Sequence, residues 1–172
     1  MNNIGGYTTG WPVGSLFESE GKKLYDLVIE HKPKVIVEIG TLDGCSTTWL
    51  AAAVKENGIG HVYSIDNWQE RGDKTGILIP AELKEYITLI KEDALTYTFD
   101  KKIDMLFEDG AHTTGFTSTI LKRFKSKLVV VHDFFHWDCQ TTVHDEAISV
   151  LGEPAGTLLE APSDCGLAWW EL

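Results

Sequence analysis

Two rhythms of apolar and polar positions take turns along the chain. Residues 35–37 (VIV) are apolar at successive positions, as in a strand buried on both faces that runs to Glu38, and residues 61–66 (HVYSID) alternate into a second strand. Further strands are expected at 87–90, 103–107 and 128–131, and two strand-like segments follow at 157–160 and 167–170. Elsewhere the apolar spacing changes to three and four. Leu16, Leu24, Leu27, Val28 and His31 predict a helix over 15–31 that exits at Pro33. Trp49, Leu50 and Val54 predict another over 46–55, stopped by Asn57-Gly58. Pro80 is placed to open a short helix through Tyr86, Phe116, Ile120, Leu121 and Phe124 share a helical face, and a last helix is expected over 141–151. The stretches 5–14 and 67–79 are rich in turn and polar residues and read as an irregular arm and a loop.

Strands alternating with helices imply a parallel sheet covered on both faces, so the fold class is α/β and doubly wound. The last two strands lack a helix between them, which predicts an antiparallel C-terminal hairpin at one edge of a mostly parallel sheet. The 172 residues suit one domain, 1–172, in which the arm and first helix, 1–32, are expected to act as a lid. A net charge of −11 argues against a nucleic-acid backbone or an anionic membrane as partner. No apolar run approaches the ~20 residues that span a bilayer. The start, MNNIGGYTTG, lacks the basic and apolar stretches of a signal peptide, so a cytoplasmic location is expected. Cys45, Cys139 and Cys165 are widely spaced and form no CxxC pair, which predicts free thiols packed as small hydrophobes.

Chemistry concentrates where strands end. Glu38, Asp66, Asp93, Asp109 and the pair His132-Asp133 each close a predicted strand, and parallel strands bring those ends to one edge. Convergent acids suit a polyol, a cation or both, although Asp93 could equally cap a following turn. Gly40 and Gly44 allow close backbone approach after the first strand. A dinucleotide fingerprint would need a glycine where Leu42 stands, and Asp43 beside it would repel phosphate.

The ordered set EIGTLDG at 38–44, Asp66, FEDGAH at 107–112 and VVVHD at 129–133 resembles class I S-adenosylmethionine-dependent methyltransferases. More narrowly, it is similar to the small macrolide-sugar and catechol-type O-methyltransferases. The resemblance implies a Rossmann-like sheet with S-adenosylmethionine as cofactor. It places Gly40 and Gly44 against the methionine part, with Glu38 supporting the loop or the amino group. Asp66 would take the ribose hydroxyls, Asn67 and Trp68 would edge the adenine, and Asp93 with Ala94 would meet the adenine from the third strand. Ser46 is either a cofactor contact or only a helix cap.

By the same resemblance Asp109, His132 and Asp133 occupy the positions that hold a divalent cation, Mg²⁺ or Mn²⁺, in the metal-dependent relatives, and Asp109 also borders the cofactor and the chemistry. His132 departs from the oxygen ligand of the catechol-type enzymes; imidazole is poor for Mg²⁺ and acceptable for Mn²⁺, and the alternative is that it faces substrate with no metal. His112 stands where the relatives carry their proton acceptor, the alternative being a histidine hydrogen-bonded at a helix start. Trp11, Trp68 and Trp137 are expected to line the pocket, and Trp169-Trp170 to pack in the core on one face and at the edge on the other. The implied activity is O-methylation of a hydroxyl on a small molecule, a sugar or a phenol, and a homo-oligomer is compatible with it. The rival readings are a non-catalytic S-adenosylmethionine-binding protein and a metal-dependent hydrolase on a similar sheet.

Overall fold

Seven strands build one open sheet in the computed structural model, which describes residues 2–4, 7–9, 16–70, 72–160 and 163–172. A separate antiparallel ribbon, β1 (Asn2–Ile4) and β2 (Tyr7–Thr9), precedes α1 (Glu18–His31). Then follow β3 (Val35–Ile39), α2 (Cys45–Asn57), β4 (His61–Asp66), β5 (Ile87–Lys91) and β6 (Met105–Glu108). The chain continues through α3 (Phe116–Arg123), β7 (Leu128–His132), α4 (Asp145–Leu151), β8 (Gly156–Leu158) and β9 (Leu167–Glu171). Strand order is β5-β4-β3-β6-β7-β9-β8, parallel except for β9, which runs antiparallel to both β7 and β8. The doubly wound sheet with its antiparallel C-terminal hairpin is therefore the observed fold. Winding reverses at β3, whose neighbours are β4 on one side and β6 on the other, so the switch point at which open α/β sheets bind ligands lies at the carboxyl ends of β3 and β6.

Each face of the sheet has its own apolar layer. Leu24, Leu27 and Val28 of α1 pack with Trp49, Leu50 and Val54 of α2 on one face. Ile120 and Leu121 of α3, Phe134, Ala147 of α4 and Trp170 of β9 fill the other. α1 and α2 come so close at Gly21 that a Cβ there would lie 2.1 Å from the Trp49 indole, which is why a glycine sits inside this helix despite its conformational cost. Within the 1–32 segment expected to be a lid, α1 is thus a core element. Gly5, Gly6 and residues 10–15 of the arm, Trp11 among them, lie outside the described residues.

Several boundaries differ from the sequence expectation, each for a local reason. β3 runs one residue past Glu38, so that acid points sideways into α2 and β4 instead of ending the strand. α2 begins at Cys45 because Gly44, at φ +89°, serves as its N-cap; Ser46 is therefore inside the helix and is not the cap. The helix expected over 141–151 divides into a π turn, Gln140–His144, and α4. Residues 92–104 form no helix, and Tyr97 and Phe99 pack against that part of the second face in its place. Cys45, Cys139 and Cys165 are free thiols, as expected. Among the described residues no helix is long and apolar enough to cross a membrane.

Candidate active site

The glycine loop is held by the protein itself. At Gly40, φ +94°, a Cβ would lie 2.0 Å from the Asp109 carbonyl oxygen; at Gly44 it would lie 2.5 Å from the Ile79 side chain. Both glycines are demanded by the chain's own packing before any ligand is considered. The Gly40 amide donates to the Ile65 carbonyl (2.9 Å) and the Gly44 amide to that of Thr41 (2.8 Å). Asp66 Oδ2 accepts from the Thr41 and Leu42 amides at 2.9 and 3.0 Å, and its Oδ1 accepts from the Trp68 amide at 2.7 Å. Asp66 therefore braces the loop. The amides of 40, 41, 42 and 44 are thus all engaged within the protein.

Glu38 lies beneath this loop, fully buried. Ser46 Oγ donates to its Oε1 at 2.5 Å, while Thr47 Oγ1 and Ser64 Oγ donate to Oε2 at 2.6 and 2.5 Å. Ser64 Oγ also lies 2.6 Å from Thr41 Oγ1, which ties the acid to the loop. Burial pushes Glu38 up to about 7; the three hydroxyls pull the other way, and the charge of Asp109 adds to the rise. Glu108, at the end of β6, is pushed up to about 7 by burial as well, against weaker support from the Gly110 amide (3.2 Å) and Thr117 Oγ1 (3.3 Å).

The ends of β6 and β7 are organised differently. His132 Nδ1 lies 3.1 Å from Asp109 Oδ1 and 3.1 Å from Asp133 Oδ2, and its Nε2 lies 3.3 Å from Glu20 Oε2. His112 Nε2 lies 3.0 Å from the same Asp133 oxygen. Burial opposes a charge on His132, yet Asp109, Asp133 and Glu20 around it prevail and raise its proton affinity well above the ordinary value. Asp133 goes the opposite way: burial would raise it, but the bonds to His112 and His132 hold it well below the carboxylate range. His112 is raised, first by its bond to Asp133, against partial burial. Asp133 adopts φ +54°, a strained conformation for a side-chain-bearing residue at the turn that brings both histidines to it. The ligand atoms of Asp109, His132 and Asp133 lie within 4.8 Å of one another.

The other expected contacts are spread along the same edge. Asn67 and Asp93 are exposed and accept from the amides of Gln69 (3.0 Å) and Leu95 (2.8 Å), the turn-capping geometry, while Ala94 is buried. Trp68, at φ +61°, has its ring under the Lys91 ammonium at 4.7 Å, and its buried Nε1 has no hydrogen-bond partner among the described residues. Trp137 is 74% exposed, and Trp170 is in the core. Sequence reasoning missed Glu20. It is completely buried on α1 and accepts from the Phe17 amide (2.8 Å), Ser163 Oγ (2.5 Å) and the Gly166 amide (2.9 Å) besides facing His132. The signal was a carboxylate at the head of the stripe Leu24, Leu27, Val28, where helical spacing puts position 20 on the buried face.

An open sheet wound about β3, with carboxylates gathered at the carboxyl ends of its parallel strands, defines a Rossmann-like protein. Residues 37–144 match a methyltransferase domain family, and the chain belongs to it. Comparison with curated proteins gives no match. Among solved structures it is similar to a Klebsiella pneumoniae protein described as an O-methyltransferase, at 18% identity and TM-score 0.72, over 93% of this chain and 83% of that one. It is also similar to the O-methyltransferase TomG of Streptomyces achromogenes in complex with SAM, at 20% identity and TM-score 0.68, over 93% and 82%. A Bacillus cereus O-methyltransferase in complex with SAH aligns at 19% identity and TM-score 0.67, over 94% and 84%. At these identities the likeness is one of fold, and it agrees with the class I methyltransferase resemblance of the sequence.

Proposed function

We propose that this chain transfers the sulfonium methyl group of S-adenosylmethionine to a hydroxyl oxygen of a small molecule, a sugar or a phenol, at the crevice beside β3 and β6. One observation carries the reading. In a member of a methyltransferase family, the glycine loop keeps its amides for the protein while carboxylates line the crevice, an arrangement that suits a sulfonium and a ribose and disfavours phosphate. Trp68 Nε1, buried and without a partner among the described residues, would be a further donor for a nucleoside once the pocket opens to admit one. The residues would act as the resemblance implies. Asp66 retains lone pairs for ribose hydroxyls, Asn67, Trp68, Asp93 and Ala94 border the adenine, and Gly40 and Gly44 shape the floor above Glu38 and Ser46.

Asp109, His132 and Asp133 also fit a divalent cation, since two carboxylate oxygens and one imidazole nitrogen converge there. When bound, such an ion would lower the proton affinity of the acceptor hydroxyl. His112, oriented by Asp133, would take that proton, leaving an oxygen nucleophile for in-line attack on the methyl carbon as the sulfonium becomes a neutral thioether. Alignment of the two reactants supplies most of the acceleration, an effect that reaches ~7–11 kcal/mol. Family membership gives the hydrolase reading no support. Calorimetric titration with S-adenosylhomocysteine, with and without Mn²⁺ or Mg²⁺, followed by transfer of labelled methyl to a panel of hydroxylated acceptors, tests the proposal. Failure to bind under every condition overturns it; binding without transfer to any acceptor leaves the non-catalytic reading.

A further inference from the structure

Glu20 is out of place for a helix-capping acid. A carboxylate that only tied α1 down would sit at the surface, where water pays its solvation, yet Glu20 has no exposed area. Its Oε1 accepts from Ser163 Oγ and the Gly166 amide, and its Oε2 accepts from the Phe17 amide. The remaining contact of Oε2 reaches across 112 positions of sequence to His132 Nε2, at 3.3 Å. A ring that ligates a cation through Nδ1 carries its hydrogen on Nε2, the nitrogen that faces the Glu20 carboxylate oxygen. What remains is Nδ1, equidistant at 3.1 Å from Asp109 Oδ1 and Asp133 Oδ2.

We infer that Glu20 is a positioning residue: by accepting from Nε2–H of His132 it turns Nδ1 toward Asp109 and Asp133 as a nitrogen donor, and so biases this corner toward a borderline ion such as Mn²⁺ over Mg²⁺. The inference rests on the metal-assisted form of the proposed function and adds a residue from a different element to it. A carboxylate behind a ligating imidazole fixes ring orientation and raises donor strength, and loss of such a partner commonly weakens metal binding ~10- to 100-fold. Mg²⁺ prefers oxygen ligands and gains little from the nitrogen, so its binding should depend on Glu20 much less.

The test uses the full chain and the metals themselves. Mn²⁺ binding is followed by the electron paramagnetic resonance of the free ion, Mg²⁺ by competition, and S-adenosylhomocysteine by calorimetry. In Glu20→Gln the side-chain amide can present N–H to Nε2 and reverse the ring's polarity. Expected are ~10- to 100-fold weaker Mn²⁺ binding, Mg²⁺ binding changed less than ~3-fold, and S-adenosylhomocysteine affinity within ~3-fold. Equal losses for both ions, or none, in a folded Glu20→Gln protein overturn the positioning role. Should the variant not fold, ¹⁵N–¹H correlation spectra of the wild type with Zn²⁺ decide: ligation through Nδ1 with Nε2–H retained supports the inference, and ligation through Nε2 overturns it. A wild type that binds S-adenosylhomocysteine but no divalent ion overturns the inference and the metal-assisted step while leaving methyl transfer standing. Absent cofactor binding is the separate failure of the functional proposal.

Discussion

Glu38 of β3 and Asp133, just after β7, are both buried carboxylates on strands separated by β6, and their environments push them in opposite directions. Glu38 is surrounded by three hydroxyls, and burial drives it up to about 7. Asp133 is met by two imidazoles, which hold it well below the carboxylate range although burial alone would raise it. Burial is common to both, so the charge of the partners decides. Neutral donors make Glu38 a strut under the glycine loop. Ionisable partners make Asp133 the hub of a constellation able to orient a base or hold a cation. Under the proposed function, that difference separates a structural support from the charge used in the chemistry.

The sharpest way to break that contrast is at the hub. Asp133→Asn keeps the volume and a residue type that tolerates positive φ, but removes the charge shared by His112 and His132. Methyl transfer should fall ~10³-fold or more in kcat/KM, with S-adenosylhomocysteine affinity within ~3-fold. Activity within tenfold of wild type would move the chemistry away from β7. His112→Ala should be the next largest effect, lowering kcat ~10²-fold while cofactor affinity holds. Unchanged turnover in that variant would leave His112 as a surface partner of Asp133 and nothing more.

The two regions were also unequally legible in the sequence. The sheet, its order of elements and the acids of the loop follow from local pattern: apolar blocks, a period of three to four between them, and EIGTLDG after the first block. The ends of β6 and β7 were legible as DGAH and HD because parallel strands must deliver their ends to one edge. What escaped is contact without sequence proximity. Glu20 meets Ser163 and Gly166 across more than a hundred positions of sequence, and no short-range pattern encodes such an approach. The hydroxyls on Glu38 were half legible: Ser46 was flagged, whereas Thr47 and Ser64 were not. Strand register alone places Ser64 opposite Glu38. Gly44 as helix cap was hidden too, since serine is the commoner choice for that position.

A pH series sharpens the comparison by isolating acids hydrogen-bonded only by neutral groups. Glu108, like Glu38, is pushed up to about 7 by burial from an ordinary value of 4.5. Between those values the folded protein keeps a proton that the unfolded chain releases, so stability is greatest at low pH and is lost as pH rises from ~4.5 to ~7. For one such acid the loss between pH 5 and 8 is about 2–3 kcal/mol. Glu108→Gln, which cannot ionise, should remove that much of the slope in denaturant-derived stability. A variant slope equal to that of the wild type would show that Glu108 is ionised in the folded state throughout the range.

The smallest effect asks whether the Glu38 region is structural alone. Ser64 lies directly opposite Glu38 in the β3–β4 register, donates to Oε2, and touches Thr41 of the loop. Ser64→Ala leaves Thr47 as the donor on that oxygen and takes from Thr41 its buried partner. Loss of such a buried hydrogen bond costs about 1–2 kcal/mol, a decrease of roughly 2–8 °C in Tm for a chain of this size. The loss should be larger at pH 8 than at pH 5, because the hydroxyl donates to the ionised acid and Glu38 carries its proton below about 7. Methyl transfer measured well below Tm should remain within ~3-fold of wild type, since none of the contacts of Ser64 reaches the β6 and β7 ends. Normal stability combined with lost turnover would reverse the assignment: the hydroxyl network would then face the cofactor, and Glu38 would belong with Asp133.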